Sequence, residues 1–389
     1  MAGRFDPLTR AAVRGGRTTV PAAQPAPPGA APGRAEASGP APAAPGPVGA
    51  PGPADAVPGP AGAPASAGAA PGPADALGPA PGGAVRRRRW IPDGPLDLGT
   101  TLGPLRRGPG DPTFRAAPDG SVWRASRTPQ GPATLRVSRT GTGGAAEIGA
   151  EAWGPGADWI LEHLPALLGA GDDPAAFVPR HRLVHASHRR RPGLRLTRTG
   201  LVLESLIPTV LEQKVTADEA YRAWRRLVRQ YGEPAPGPQE LGLRVMPAAR
   251  TWALIPSWDW HRAGVDAKRS ATIVRAARAA HRMEEAAAME PGPAAARLEA
   301  VPGIGPWTSA ETLQRSNGDP DAVTTGDLHL PGIIGYALAG NRDADDAAML
   351  ELLAPYAGQR HRAARLVLLA GRTPPRRAPR MPRSDIGTL

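Results

Sequence analysis

The chain has 389 residues, with 49 Pro, 48 Gly, no Cys, 4% aromatics and a formal net charge of +12. The missing cysteines exclude disulfides, thiolate zinc sites, iron–sulfur clusters and cysteine nucleophiles. No apolar run reaches the roughly 18 residues of a membrane span, and the N-terminus lacks the apolar stretch and cleavage site of a secretion signal, so a soluble cytoplasmic protein is expected.

Residues 1–85 hold 19 of the prolines and are otherwise mostly Ala and Gly, with the hexapeptide Pro51-Gly52-Pro53-Ala54-Asp55-Ala56 repeated at 71–76. Such a segment buries too little apolar surface to offset its chain entropy and reads as a disordered tail over 1–89. It closes on Arg86-Arg87-Arg88-Arg89-Trp90, a basic run that either meets a polyanion or is simply solvated. Only Lys214 and Lys268 are lysines, a bias that belongs with the Ala/Gly/Pro excess of a GC-rich genome and is discounted as a signal.

From Trp90 to about 155, short extended runs at 113–115, 122–126 and 134–138 alternate with Pro118-Asp119-Gly120 and Pro129-Gln130-Gly131, which predicts antiparallel hairpins. From 156 to 372 the apolar period becomes helical, as in Trp159, Ile160, Leu164, Leu167 and Leu168, then over 201–215, 221–228, 273–280, 298–301, 309–313 and 350–353. The fold class is therefore α+β: a small antiparallel β-rich domain (90–155), an all-helical domain (156–372), and a basic C-terminal tail (373–389).

The most specific stretch is Leu298-Glu299-Ala300-Val301-Pro302-Gly303-Ile304-Gly305-Pro306-Trp307-Thr308-Ser309-Ala310. A helix enters a tight turn with two glycines around one apolar residue, and a second helix starts at once. Glycines admit close backbone approach, and free N–H groups at the second helix make an anion site suited to a phosphate. This is a helix-hairpin-helix pattern, a sequence-independent binder of nucleic-acid backbone, and the surrounding positive charge agrees. The bland alternative is a tight interhelical turn. Downstream, Val323-Thr324-Thr325-Gly326-Asp327-Leu328-His329 places a carboxylate in a short polar segment 22 positions after Gly305.

Hairpin and Asp-x-His segment together resemble the helix-hairpin-helix superfamily of DNA base-excision glycosylases. Within it the chain is most similar to the DNA-3-methyladenine glycosylase II branch. Further matches are Pro192-Gly193-Leu194-Arg195, Glu212-Gln213-Lys214-Val215, Tyr231-Gly232-Glu233, Pro355-Tyr356 and Arg360 with Arg362, and the likeness spans roughly 90–372.

The resemblance implies that Asp327 is the catalytic carboxylate, stabilising an oxocarbenium-like state at the sugar and orienting water. A helix N-cap is the alternative role. His329 is expected to cap or brace the loop and not to act as a base. Trp307 stands where glycosylases that also cleave the strand carry a Schiff-base lysine, which implies a monofunctional enzyme; its indole is expected in the wall of the base pocket, where it would favour cationic alkylpurines. Gly303, Ile304, Gly305 and Thr308 are expected to hold the backbone phosphate, with Gln213 and Lys214 as further DNA contacts. Lys214 takes the place of the apolar wedge that fills the gap left by an extruded base.

The partner implied is double-stranded DNA with damaged bases, bound by a monomer in the cytoplasm at the nucleoid. No organic cofactor or catalytic metal is required; the hairpin carbonyls of this family can also hold a monovalent cation. The rival readings are a non-catalytic helix-hairpin-helix DNA-binding protein and a glycosylase/lyase for oxidised bases. His181, His185 and His188 share one helical face and invite a zinc reading, which the adjoining Arg189-Arg190-Arg191 opposes. Trp252, Trp258 and Trp260 are left outside the site as core candidates. Arg360, Arg362 and the arginines of 372–380 are further candidates for phosphate contact.

Overall fold

The structure, a computed structural model, describes residues 84–140 and 147–375; the expected tail up to 83 and the residues from 376 lie outside these. The N-terminal part is a five-stranded antiparallel sheet of β1 (Arg86–Trp90), β2 (Phe114–Ala116), β3 (Val122–Thr128), β4 (Gly131–Thr140) and β5 (Glu147–Trp153), in the order β1-β5-β4-β3-β2. In β5 every second residue is buried, the period of a strand with one face on a core. That face puts Leu135, Val137, Ile148, Ala150 and Ala152 against α1 (Leu98–Leu102), α2 (Ala157–Glu162) and α3 (Leu164–Leu167).

The basic run at 86–90 is not the end of a tail, as its charge suggested. It is the edge strand β1, paired with β5 in the register Arg86↔Ala152 to Trp90↔Ile148. Arg87 meets Glu151 at 3.0 Å and Arg89 meets Glu147 at 3.4 Å, so the neighbouring strand supplies opposite charge to alternate arginines.

The helical part comprises α4 (Arg182–Arg189), α5 (Val202–Leu211), α6 (Ala217–Tyr231), α7 (Ala249–Leu254), α8 (Ser257–Arg262), α9 (Ala267–Arg278), α10 (Ala280–Glu284), α11 (Pro291–Glu299), α12 (Pro306–Ser316), α13 (Leu330–Ala339), α14 (Asp346–Leu353) and α15 (Arg360–Ala370). It is not all-helical: β6 (Glu233–Pro234) and β7 (Arg244–Val245) form a two-residue ladder. Pieces this short carry no readable alternation, and their pairing is fixed by packing, with Val245, Leu243 and Ala235 closing a small cluster on Ala125 of β3.

Two apolar clusters divide these helices. One gathers Leu206, Ile207, Trp224, Leu227, Trp252, Trp260, Ile273, Leu298, Ile304 and Leu313 from α5 to α12; the other gathers Val184, Ile334, Met349, Leu353, Leu366 and Val367 from α4 and α13–α15. Trp252 stacks between Trp224 and Trp260 inside the first, while Trp258 is exposed. The segment 317–329, which contains Asp327, carries the chain from the first cluster to the second.

Candidate active site

The turn between α11 and α12 uses its two glycines differently. Gly303 has φ +98°, and a Cβ there would lie 2.1 Å from Thr272 Oγ1 of α9, so both backbone shape and packing demand glycine. Gly305 is extended, at φ −118° and ψ −176°, and a Cβ there would meet nothing within 4 Å. Gly303 therefore seats the turn on the protein, and Gly305 leaves backbone open to an approaching ligand. Pro306 at the first helical position has no N–H to satisfy. The N–H groups of Gly305 and Trp307 have no acceptor among the described residues. They stand at the positive end of α12, where an anion is favoured.

Two expected phosphate contacts are placed otherwise. The Ile304 side chain is buried in the α5–α12 cluster, and its N–H donates to Val301 O at 3.0 Å. Thr308 is buried too, its N–H bonded to Gly305 O and its hydroxyl accepting from Gln213 Nε2 at 2.8 Å. Gln213 also donates to Gly303 O at 3.0 Å, so its amide clamps the α5–α6 turn onto the hairpin. The next residue, Lys214, is exposed and is the one non-glycine among the described residues with positive φ, 56°.

Pro302 O accepts from Arg275 Nη2 at 2.8 Å and Nε at 3.1 Å. With that guanidinium on one turn carbonyl and Gln213 on another, the hairpin is poorly suited to a monovalent cation.

Asp327 and Trp307 come together. The indole Nε1 donates to Asp327 Oδ2 at 3.0 Å, while Oδ1 accepts the backbone N–H of His329 and of Leu330, each at 2.8 Å. The carboxylate thus caps the first turn of α13 with one oxygen and faces α12 with the other. Of its roughly four lone-pair sites three are taken, which leaves one on Oδ2 for a water or a sugar. The imidazole of His329 is exposed and only its main chain joins this arrangement.

Sequence reasoning missed what holds the loop. Trp307, Glu311 and Gln314 follow one another at i, i+4 and i+7 along one face of α12, and all three reach the Asp327 segment. Thr324 Oγ1 donates to Glu311 Oε1 at 2.8 Å, and Gln314 Nε2 donates to Thr324 Oγ1 at 2.9 Å and Ala322 O at 3.0 Å. From the far side, Asp346 Oδ2 of α14 accepts Gly326 N–H at 2.7 Å. The α12 spacing was visible in the sequence; nothing there marked Asp346.

The remaining candidates are structural. His181 Nδ1 lies 2.8 Å from the Tyr356 hydroxyl and His188 packs against Phe177. Among the described residues no cluster of metal-ligating side chains occurs. Arg362 is fully buried in an ion pair with Asp172, and Arg360 grips Asp321, so neither presents its charge to a phosphate.

The 3-methyladenine DNA-glycosylase from Archaeoglobus fulgidus superposes with a TM-score of 0.58 at 17% identity, over 72% of this chain and 97% of that one. The fold is that of the helix-hairpin-helix DNA glycosylases. An 8-oxoguanine glycosylase/lyase of Clostridium acetobutylicum, solved with double-stranded DNA, shares this glycosylase fold at a TM-score of 0.57 and 10% identity, over 73% and 97% of the two chains. By sequence, a Mycobacterium tuberculosis protein named "probable bifunctional transcriptional activator/DNA repair enzyme AlkA" is 32% identical over 173 residues, 43% of this chain. The chain spans about a third of that relative's length, 32%. No protein-family model matches the chain.

Proposed function

We propose that the protein is a monofunctional DNA glycosylase that excises alkylated purines, of the 3-methyladenine and 7-methylguanine type, from double-stranded DNA. The observation that carries this reading is the hydrogen bond from Trp307 to Asp327. The position that the resemblance gives to a Schiff-base lysine in strand-cleaving glycosylases holds an indole, and that indole is tied to the carboxylate. An indole cannot form an imine with C1′, so water is the acceptor of the sugar.

In the proposed reaction the damaged nucleotide is turned out of the stack. The open N–H groups of Gly305 and Trp307 hold a backbone phosphate, and the free lone pair of Asp327 faces the sugar. As the glycosidic bond breaks, its electron pair leaves with the purine and the carboxylate stabilises the positive charge left on the sugar. Water then adds to C1′ and gives up a proton to the solvent, and an abasic site remains. A purine alkylated at N3 or N7 already carries positive charge, so it leaves without an added general acid. Both solved relatives share the fold equally well, and it is Trp307 that favours the alkylpurine reading over the oxidised-base one.

The test is base release from methylated duplex DNA and from duplexes with a single 8-oxoguanine, scored for strand breakage before and after alkali and for borohydride trapping. Release of methylpurines with breakage only after alkali and no trapped adduct is expected. A trapped adduct would establish the lyase instead, and DNA binding without any release would establish a non-catalytic binder.

A further inference from the structure

Helix α9 packs into the α5–α12 cluster through Ile273, Ala276 and Ala277, and its Thr272 is the residue against which Gly303 is seated. One turn further on the same face stands Arg275, which is exposed. Its guanidinium is fixed on the hairpin turn. Nε and Nη2 donate to Pro302 O at 3.1 and 2.8 Å, and Nη2 also donates to Thr272 Oγ1 at 3.2 Å. An arginine has five N–H groups; these bonds engage the three on Nε and Nη2, and the two on Nη1 have no acceptor among the described residues. Nor does any carboxylate among the described residues pair with Arg275.

Clamping a carbonyl does not require an uncompensated charge. Arg269, on the same helix, also holds carbonyls, Leu211 O at 2.8 Å and Gly264 O at 2.9 Å, and there Asp266 lies 2.6 Å away to neutralise it. Arg269 is buried, whereas Arg275 keeps its full charge at the surface of the turn.

The turn around Arg275 is prepared for an anion. Val301 O accepts from Ile304, Pro302 O from Arg275, Gly303 O from Gln213, and Gly305 O from Thr308 and Ser309. Oxygens that would repel a phosphate are thus engaged, while the N–H groups of Gly305 and Trp307 stay open in the same turn. We propose that Arg275 is a phosphate-binding residue of the DNA interface: the hairpin carbonyl orients its guanidinium, and Nη1 donates to the strand whose phosphate rests on Gly305 and Trp307. The proposal rests on the DNA-binding reading above and adds to it a side chain from outside the hairpin, 27 residues before Pro302.

The test measures affinity for an undamaged duplex against salt concentration in wild type, Arg275→Gln, Arg275→Lys and Arg180→Gln, the last removing an exposed arginine ahead of α4. Arg275→Gln is expected to lower the log–log salt slope by about 0.9 and the affinity by about 10-fold. Arg275→Lys keeps the charge without the planar fork, so it should keep the slope and lose part of the affinity, and Arg180→Gln should keep both. A clamp without a phosphate contact leaves the slope of Arg275→Gln at the wild-type value, and that result overturns the proposal. A second measurement needs no variant: phenylglyoxal labelling of Arg275 in the wild type, read by peptide mass, should be suppressed by duplex DNA while labelling of Arg180 is not. Labelling at Arg275 that DNA does not change, or that is absent without DNA, overturns the proposal. Either result beside intact wild-type base release leaves the glycosylase reading standing, whereas a wild type without salt-dependent DNA binding overturns both.

Discussion

The two oxygens of Asp327 do different things. Oδ1 fixes the entry into α13 through His329 and Leu330, and Oδ2 faces Trp307. The sequence offers capping and catalysis as alternatives for this residue, and the geometry permits both at once because a carboxylate has lone pairs enough. Trp307 is half-buried, and its N–H sets where Oδ2 points. Trp307→Phe keeps the ring and removes the donor. A hydrogen bond to a charged group contributes about 1.5–3 kcal/mol, so single-turnover base release should slow by roughly 10- to 100-fold with DNA affinity unchanged. An unaltered rate would show that the indole serves only as packing. The offset of Asp327 from the hairpin and the identity of Trp307 were both legible in the sequence. Their contact was not, and neither was the Asp346 anchor on Gly326, because both bonds join residues 20 apart across a turn whose path periodicity does not describe.

At the scale of elements, the turn between α5 and α6 stores strain next to the hairpin. A lysine in the left-handed region costs about 1–2 kcal/mol relative to a residue without that penalty, and glycine is the usual occupant at a helix end. Lys214→Gly should therefore raise stability by about 1 kcal/mol in a denaturant melt while weakening DNA binding, since the exposed ammonium beside Gln213 is lost. Equal DNA affinity in the variant would remove Lys214 from the interface. The helices themselves were readable wherever one apolar face met a core, as in α6 and α9. The edge strand β1 was not, because four arginines look like a solvated run until the glutamates of β5 stand opposite. Nor was the division of labour between Gly303 and Gly305, which depends on Thr272 coming from another helix.

Across the whole molecule, charged groups of α12 and α15 lie buried and close enough to act on one another. Arg315 of α12 pairs with Glu311 at 2.7 Å, Arg365 of α15 donates to Thr100 O at 2.9 Å, and Arg362 pairs with Asp172. Burial, with Arg365, Arg315 and Arg362 around it, holds the His361 imidazole well below its ordinary pKa, and the same causes depress His188 through burial, Arg362 and His185. Each ring takes up its proton at a lower pH in the folded protein than in the unfolded chain, whose histidines protonate below about pH 6.5. Stability should thus be full above that pH and fall as pH drops below it, by up to about 1.4 kcal/mol per pH unit for each ring. His361→Asn should flatten the fall between pH 6.5 and 5 in urea melts; an unchanged slope would place the acid sensitivity elsewhere.

In the proposed reaction one carboxylate, held between α12 and α13, drives base release. Asp327→Asn tests it most directly, because an amide that keeps its oxygen toward His329 and Leu330 turns an NH2 against the indole N–H and removes the negative charge. On a duplex carrying one 7-methylguanine, under single-turnover conditions, release should fall about 100-fold or more while DNA affinity stays near wild type. Release at the wild-type rate by a folded, DNA-bound Asp327→Asn protein would exclude the carboxylate from the chemistry.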